Sequence, residues 1–163
     1  QEGMKWWLSA AEQGDARAQY LTGFYYFNGT YGVEKDVATG LKWIRTAAER
    51  GVDTAQFIMG REYYEGVSLE QSFSDALRWH RLAASQGYFP SQHALGNMYY
   101  NGEGVIKNEK QALVWWSVSG PSFAYANLDD RDVVREELSA DDLAAVQLTI
   151  ARCEESGYQE CDL

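Results

Sequence analysis

Apolar and small residues recur at spacings of three and four along most of this chain, the period of a helix buried on one face. Residues 35–50, 72–86 and 108–119 carry one version of the pattern, as Ala76, Leu77, Trp79, Leu82, Ala83 and Ala84 show in the second. Residues 16–28, 53–65 and 90–101 carry a narrower stripe at spacing four. Its members are Ala18, Thr22 and Tyr26, then Ala55, Met59 and Tyr63, then Ser91, Leu95 and Tyr99. The pattern predicts six helices, and glycines punctuate them. Gly14, Gly51 and Gly87 close one set, Gly29, Gly66 and Gly102 the other. Glycine ends a helix because it takes the left-handed backbone at little cost.

The six segments are three copies of one unit. Trp6, Trp43, Trp79 and Trp115 are spaced 37, 36 and 36 apart. The pairs Ala10/Ala11, Ala47/Ala48 and Ala83/Ala84 keep that register, and "AQYLTGFYYFNG" is answered by "AQFIMGREYYEG" and "SQHALGNMYYNG". Gly23, Gly60 and Gly96 also repeat, this time inside a helix. A glycine there costs about 1 kcal/mol relative to alanine, so its recurrence predicts a neighbouring helix passing close. The alanine pairs admit the same close approach, and the tryptophans are expected to fill the space between stacked helices.

After Trp115 the alanine pair gives way to Ser119-Gly120 and Pro121, so the regular array stops there. The tail predicts two closing helices. Ser139, with Asp142 three residues on, is the expected N-cap of the second, and Leu143, Val146, Ile150 and Cys153 its apolar stripe. Stacked repeats need a terminal cap with a polar outer face.

Charge sharpens that division. Residues 1–120 carry 13 acids and 11 Lys/Arg, whereas residues 121–163 carry 11 acids and 3 Arg. Such a chain has no electrostatic footprint for a phosphate backbone, so nucleic acid is not an expected partner. No apolar run approaches a membrane span, and no signal peptide is visible. The chain opens on Gln1 and not on methionine, as a processed or trimmed fragment does.

Over residues 3–120 these phrases resemble the Sel-one-like repeat (SLR) family, relatives of the tetratricopeptide repeats. The shared pattern is A-x-x-W, then A-A-x-x-G, then A-x-A-Q-x-x-L-G-x-x-Y-x-x-G with G-V in the loop. Thr22 departs from its leucine, and Gly3 and Gly40 from its first alanine. The resemblance implies an all-α, right-handed α-solenoid of stacked antiparallel helix pairs, read here as a single domain. Residues 1–14 would be the second helix of a partial repeat. Residues 15–51, 52–87 and 88–120 would be full repeats, and 121–163 the acidic cap and tail.

Two cysteines, Cys153 and Cys161, lie eight residues apart across Gly157. A chain folding back at that glycine can pair them, and a ring this small contributes roughly 2.5 kcal/mol in the loop-entropy picture. The alternative is two reduced thiols in a cytosolic protein. We expect the disulfide, because nothing else explains a cysteine in a frayed acidic tail. It implies an oxidising compartment, the periplasm for a bacterial chain.

The catalytic inventory is poor. Only His80 and His93 exist, neither in an H-E-x-x-H motif, and there is no G-x-S-x-G elbow, phosphate-binding loop or C-x-x-C. His80 follows a repeat tryptophan and is read as a helix-face residue. No cofactor and no metal site is expected. Some cysteine-rich relatives are proposed to bind or hydrolyse β-lactams, which in serine enzymes needs S-x-x-K. No serine here has a lysine three residues on.

Binding is the expected function. The first helices of a solenoid usually line its concave side. Two residues beyond the core stripe a helix has turned about 200°, onto its opposite face. That face carries Tyr20, Phe24 and Phe27, then Phe57, Arg61 and Tyr64, then His93, Asn97 and Tyr100. Aromatics with Arg and Asn suit a protein interface. Phe27, Tyr64 and Tyr100 recur as rings in every copy and suit packing, while the other six vary as a surface reading one irregular partner would. Replacing Phe24, Phe57 and Arg61 with alanine is expected to abolish binding and spare the fold. By resemblance, small acidic SLR proteins with a cysteine-bearing tail include periplasmic immunity proteins against type VI secretion phospholipase effectors. A general envelope scaffold is the alternative.

Overall fold

The computed structural model describes residues 2–120 and 128–163, so the expected start of the cap at 121–127 lies outside the described residues. These fold into helices α1 (Glu2–Glu12), α2 (Ala16–Asn28), α3 (Val37–Glu49), α4 (Asp53–Glu65), α5 (Phe73–Ala84), α6 (Phe89–Asn101), α7 (Glu109–Val118), α8 (Leu128–Glu137) and α9 (Ala140–Glu155), with no strand among the described residues. The six repeat helices fall where periodicity predicts them.

The helix ends repeat as faithfully as the stripes. Asp36, Ser72 and Asn108 cap α3, α5 and α7, accepting from the backbone N–H of Thr39, Asp75 and Gln111 at 3.0, 3.2 and 3.0 Å. Each satisfies one of the donors a helix start leaves open. At the other ends, Gly29, Gly66 and Gly102 turn α2, α4 and α6 with φ of 70°, 68° and 75°.

The alanine pair has a hydrogen-bonding role besides its small size. The Ala47 and Ala83 carbonyls accept from Val52 N and Tyr88 N, and Ala48 and Ala84 from Gly51 N and Gly87 N. Those second carbonyls also receive the side-chain amides of Gln56 and Gln92 at 3.1 and 3.2 Å, as Ala11 receives Gln19 at 3.1 Å. A buried glutamine thus gives a second donor to a carbonyl at the end of the preceding helix, and its own amide N–H is satisfied there.

The helices group into two compact units, Gln1–Gln71 and Ser72–Leu163. In the first, α3 packs on α2 and α4, and α1 on α2. Its core holds Leu41, Ile44, Ala47, Ala48, Ala55, Ile58 and Met59. The α2–α3 crossing is glycine on both sides. A Cβ at Gly23 would lie 2.8 Å from the Gly40 carbonyl oxygen and from Ile44, and one at Gly40 would lie 2.6 Å from Phe27 N. The expected close approach at Gly23 is therefore present. Gly40, a departure from the family alanine, belongs to the same contact.

In the second unit α6 packs on α5 and α7, and α7 on α8 and α9. Leu95, Tyr99, Leu113, Trp115, Trp116, Val134, Val146 and Cys153 form its core. Gly96 is occupied differently from Gly23. A Cβ there would meet the Trp116 ring at 2.2 Å.

Two sequence expectations need correction. Trp79 and Trp115 are 3% and 5% exposed and do fill the core, but Trp43 is half-buried and Trp6, on α1, is 78% exposed. His80 is not on an open helix face. It is 2% exposed, with Nδ1 3.2 Å from Ser91 Oγ.

Ser139 caps α9 as expected, accepting from Asp142 N at 3.1 Å and donating to Asp142 Oδ2 at 2.8 Å. Lys110 on α7 donates to Asp142 Oδ1 at 2.9 Å, and these two bonds, the lysine's first, hold the Asp142 carboxyl below the usual carboxylate range. Cys153 and Cys161 form a disulfide and are both buried. Their separation of eight is that of Ala47 from Ala55 and of Ala83 from Ser91, the small buried residues on either side of each repeat turn. The α9 turn copies the repeat turn too, with Tyr158 N on the Cys153 carbonyl and Gly157 N on that of Glu154. The tail thus begins as another copy, then runs on without helix where the next one would form. The buried amide of Gln111 straps it down, donating to the Cys161 carbonyl at 2.7 Å and accepting from Leu163 N at 2.9 Å.

Candidate functional site

On α2, the side chains opposite the core stripe are rings. Tyr20 and Phe24 lie 6.1 Å apart between centroids, and Phe24 and Tyr25 6.2 Å. Tyr25 in turn meets Tyr31 of the following loop at 4.6 Å. Phe24 is 36% exposed, a large apolar side chain left open to solvent, and Tyr20 and Phe27 are half-buried. The Phe27 backbone lies over Gly40, which supports a packing role for that position.

On α4, Phe57, Arg61 and Tyr64 are all half-buried. Arg61 donates through Nε at 3.3 Å and Nη2 at 2.9 Å to one oxygen of Glu62. The Glu62 side chain is 4% exposed and that of Arg61 40%. Alanine at 61 would leave a buried carboxylate without its counter-ion, a change that costs several kcal/mol in comparable pairs. The expectation that a triple alanine variant including Arg61 spares the fold therefore does not hold. Phe24, the exposed ring, avoids that cost, and Phe57 is half-buried but carries no charge.

On α6, the corresponding residues are half-buried, and two of them engage a core tryptophan. Asn97 Oδ1 accepts from the Trp116 indole N–H at 2.9 Å. The Tyr100 ring packs on Trp116 at 5.3 Å, with the Lys107 ammonium 5.1 Å from its centroid. His93 is half-buried, and burial pushes its pKa below the ordinary histidine value. In this unit the face opposite the stripe is in large part a seat for one tryptophan.

The remaining titratable chemistry is sparse. Burial alone lowers His80 to about 4, so the ring is neutral inside the second unit at pH 7. Among the described residues no cluster of three or more His, Cys, Asp or Glu is arranged to hold a metal ion, and no helix is long and apolar enough to cross a membrane.

Sequence reading missed two recurring devices and one singular feature. Gln19, Gln56 and Gln92 stand 37 and 36 residues apart, visible as the second letter of "AQ", "AQ" and "SQ". Arg45 and Arg81, at spacing 36, each donate to the tyrosine hydroxyl 18 residues on, Tyr63 and Tyr99, and lie over those rings at 5.7 and 5.9 Å. Glu62 gave less signal, since its counterparts Tyr25 and Met98 share nothing with a carboxylate.

The match to the Sel1 repeat family covers residues 1–15, 16–52, 53–88 and 90–118. Among solved structures, a protective antigen present in uropathogenic Escherichia coli strains, displaying an SLR fold, is 32% identical with a TM-score of 0.78. The alignment covers 97% of this chain and 34% of that one, so the chain spans about a third of its relative. A Sel1 repeat protein from Oxalobacter formigenes is 37% identical with a TM-score of 0.66, covering 71% of this chain and 87% of that one. No match is found among curated proteins. Helix pairs, repeat register and structural likeness agree on an all-α solenoid of the kind that serves as a protein–protein interaction module, and the chain belongs to the Sel1 repeat family.

Proposed function

We propose that this chain is a non-catalytic protein-recognition module and that the α2 and α4 faces of its first unit contact the partner. One observation carries the reading. Phe24 stays exposed where its half-buried repeat counterpart Asn97 is bonded to the core Trp116. A large exposed apolar side chain among half-buried rings is the composition of a binding surface. The narrower proposal is a periplasmic immunity protein that blocks a secreted antibacterial effector, possible for a rigid repeat surface with no catalytic residue of its own. Its supports are the family resemblance of small acidic members with a cysteine-bearing tail, and the disulfide, which suits an oxidising compartment.

A pull-down from the native envelope tests the face. Wild-type protein should retain a partner that the Phe24→Ala/Phe57→Ala variant releases, with melting of the variant still cooperative. Equal retention by the two rejects the face. Co-expression with the product of the neighbouring gene tests the immunity proposal, which predicts rescue of growth; continued toxicity removes it in favour of a scaffold.

A further inference from the structure

We propose that Arg61 is the specificity-determining residue of the first unit's face, and that it takes a carboxylate from the partner protein. The inference rests on the reading of that face as the partner surface. Its starting point is a charge the fold does not need. Position 62 holds a buried glutamate, whereas the same register carries Tyr25 in one copy and Met98, 1% exposed, in another. A buried ion pair is no more stabilising than apolar packing of the same volume, so stability gives no reason for Glu62. Orientation does. Glu62 engages Nε and Nη2 of Arg61 through one oxygen, leaving the Nη1 amino group outside that contact on a side chain that is 40% exposed.

A guanidinium has five N–H donors in a rigid plane. Held along one edge, it presents the remaining donors in a fixed direction, which suits the two oxygens of a carboxylate. Phe57 lies one helical turn before Arg61, and Tyr64 just under one turn after it. The matching partner element therefore carries an Asp or Glu side chain, or a terminal carboxylate, beside an apolar residue. The arrangement also explains why neither neighbouring copy would serve. Phe24 and Asn97 occupy the same register without charge.

The probe is a random peptide library displayed on phage, panned against the whole chain. Selected peptides should share an acidic position next to an apolar one. For a synthesised binder, changing that acid to its amide should weaken binding about ten- to a hundredfold. Against Arg61→Lys, which keeps the charge but loses the planar fork, the preference for acid over amide should collapse. The Arg61→Met/Glu62→Met double variant removes the pair without burying a lone charge, and should select peptides with no acidic position; thermal melting confirms that both variants fold. Binders that need Phe24 but tolerate the amide overturn the Arg61 assignment while the face stands. Binders indifferent to Phe24→Ala, or no binders at all, overturn the face and this proposal with it.

Discussion

At Gly23 the neighbouring helix arrives backbone first, with the Gly40 carbonyl and Ile44 pressed against the missing side chain. At Gly96, the same register in the second unit, the space is filled by the Trp116 ring. Identical glycines thus answer two packing problems, a close helix crossing in α2–α3 and the seating of a large ring in α6–α7. The consequence reaches the opposite face of each first helix. Trp116 needs an acceptor for its indole and a ring beside it, so Asn97 and Tyr100 turn to serve it. In the first unit the register of Trp116 holds Ile44, and Phe24 is left exposed.

The sharpest way to break the comparison is to add a methyl group to each glycine. Gly40→Ala should cost about 3 kcal/mol by urea unfolding, since the Phe27 backbone cannot step aside. Gly96→Ala should cost about as much, but shrinking Trp116 to leucine should recover part of the loss relative to Trp116→Leu alone. Gly23→Ala should gain no such recovery from Ile44→Val, because the Gly40 carbonyl still blocks it. Equal recovery in the two pairs would mean that the two glycines do the same job.

His80 is the third occupant of the register shared by Ile44 and Trp116, and the titratable one. Its folded pKa, about 4, lies below the ordinary value of 6.5. The unfolded state therefore binds the extra proton first, and stability present above pH 6.5 is lost as pH falls towards 4. The loss should reach about 3 kcal/mol at the acid end. Chemical denaturation across that range should flatten in His80→Leu; an unchanged slope assigns the pH dependence elsewhere.

The tail makes the second unit differ in another way. Replacing Cys153 and Cys161 with serine should destabilise that unit by roughly 2.5 kcal/mol. Hydrogen exchange should rise first at Leu163 N, which Gln111 holds, and at Tyr158 N. Exchange in α1–α4 should stay as it was.

These cases also mark what the chain discloses before it folds. Helices, turns and the repeat register were legible because each copy reports the same alanines, glycines and tryptophans, and Ser139 and the cysteine pair were legible from local chemistry. Trp116 could be seen in the sequence, but not its demand on Asn97. That pairing joins residues 19 apart on different helices and occurs in one copy only. Glu62 was invisible for a similar reason, being a departure that no neighbouring copy explains. Repetition reveals scaffold, whereas the residues that differ acquire meaning only from their surroundings.

The smallest expected effect bears on the central contrast, that Phe24 stays exposed in the first unit while its counterpart Asn97 serves Trp116 in the second. Phe24→Ala and Asn97→Ala should be unfolded side by side in urea. Phe24→Ala should lose less than about 1 kcal/mol, because the ring is partly exposed and gives up only its contacts with neighbouring rings. Asn97→Ala should lose about 1–2 kcal/mol, because it strands the Trp116 indole N–H in the core. A Phe24→Ala loss as large as that of Asn97→Ala would contradict the account.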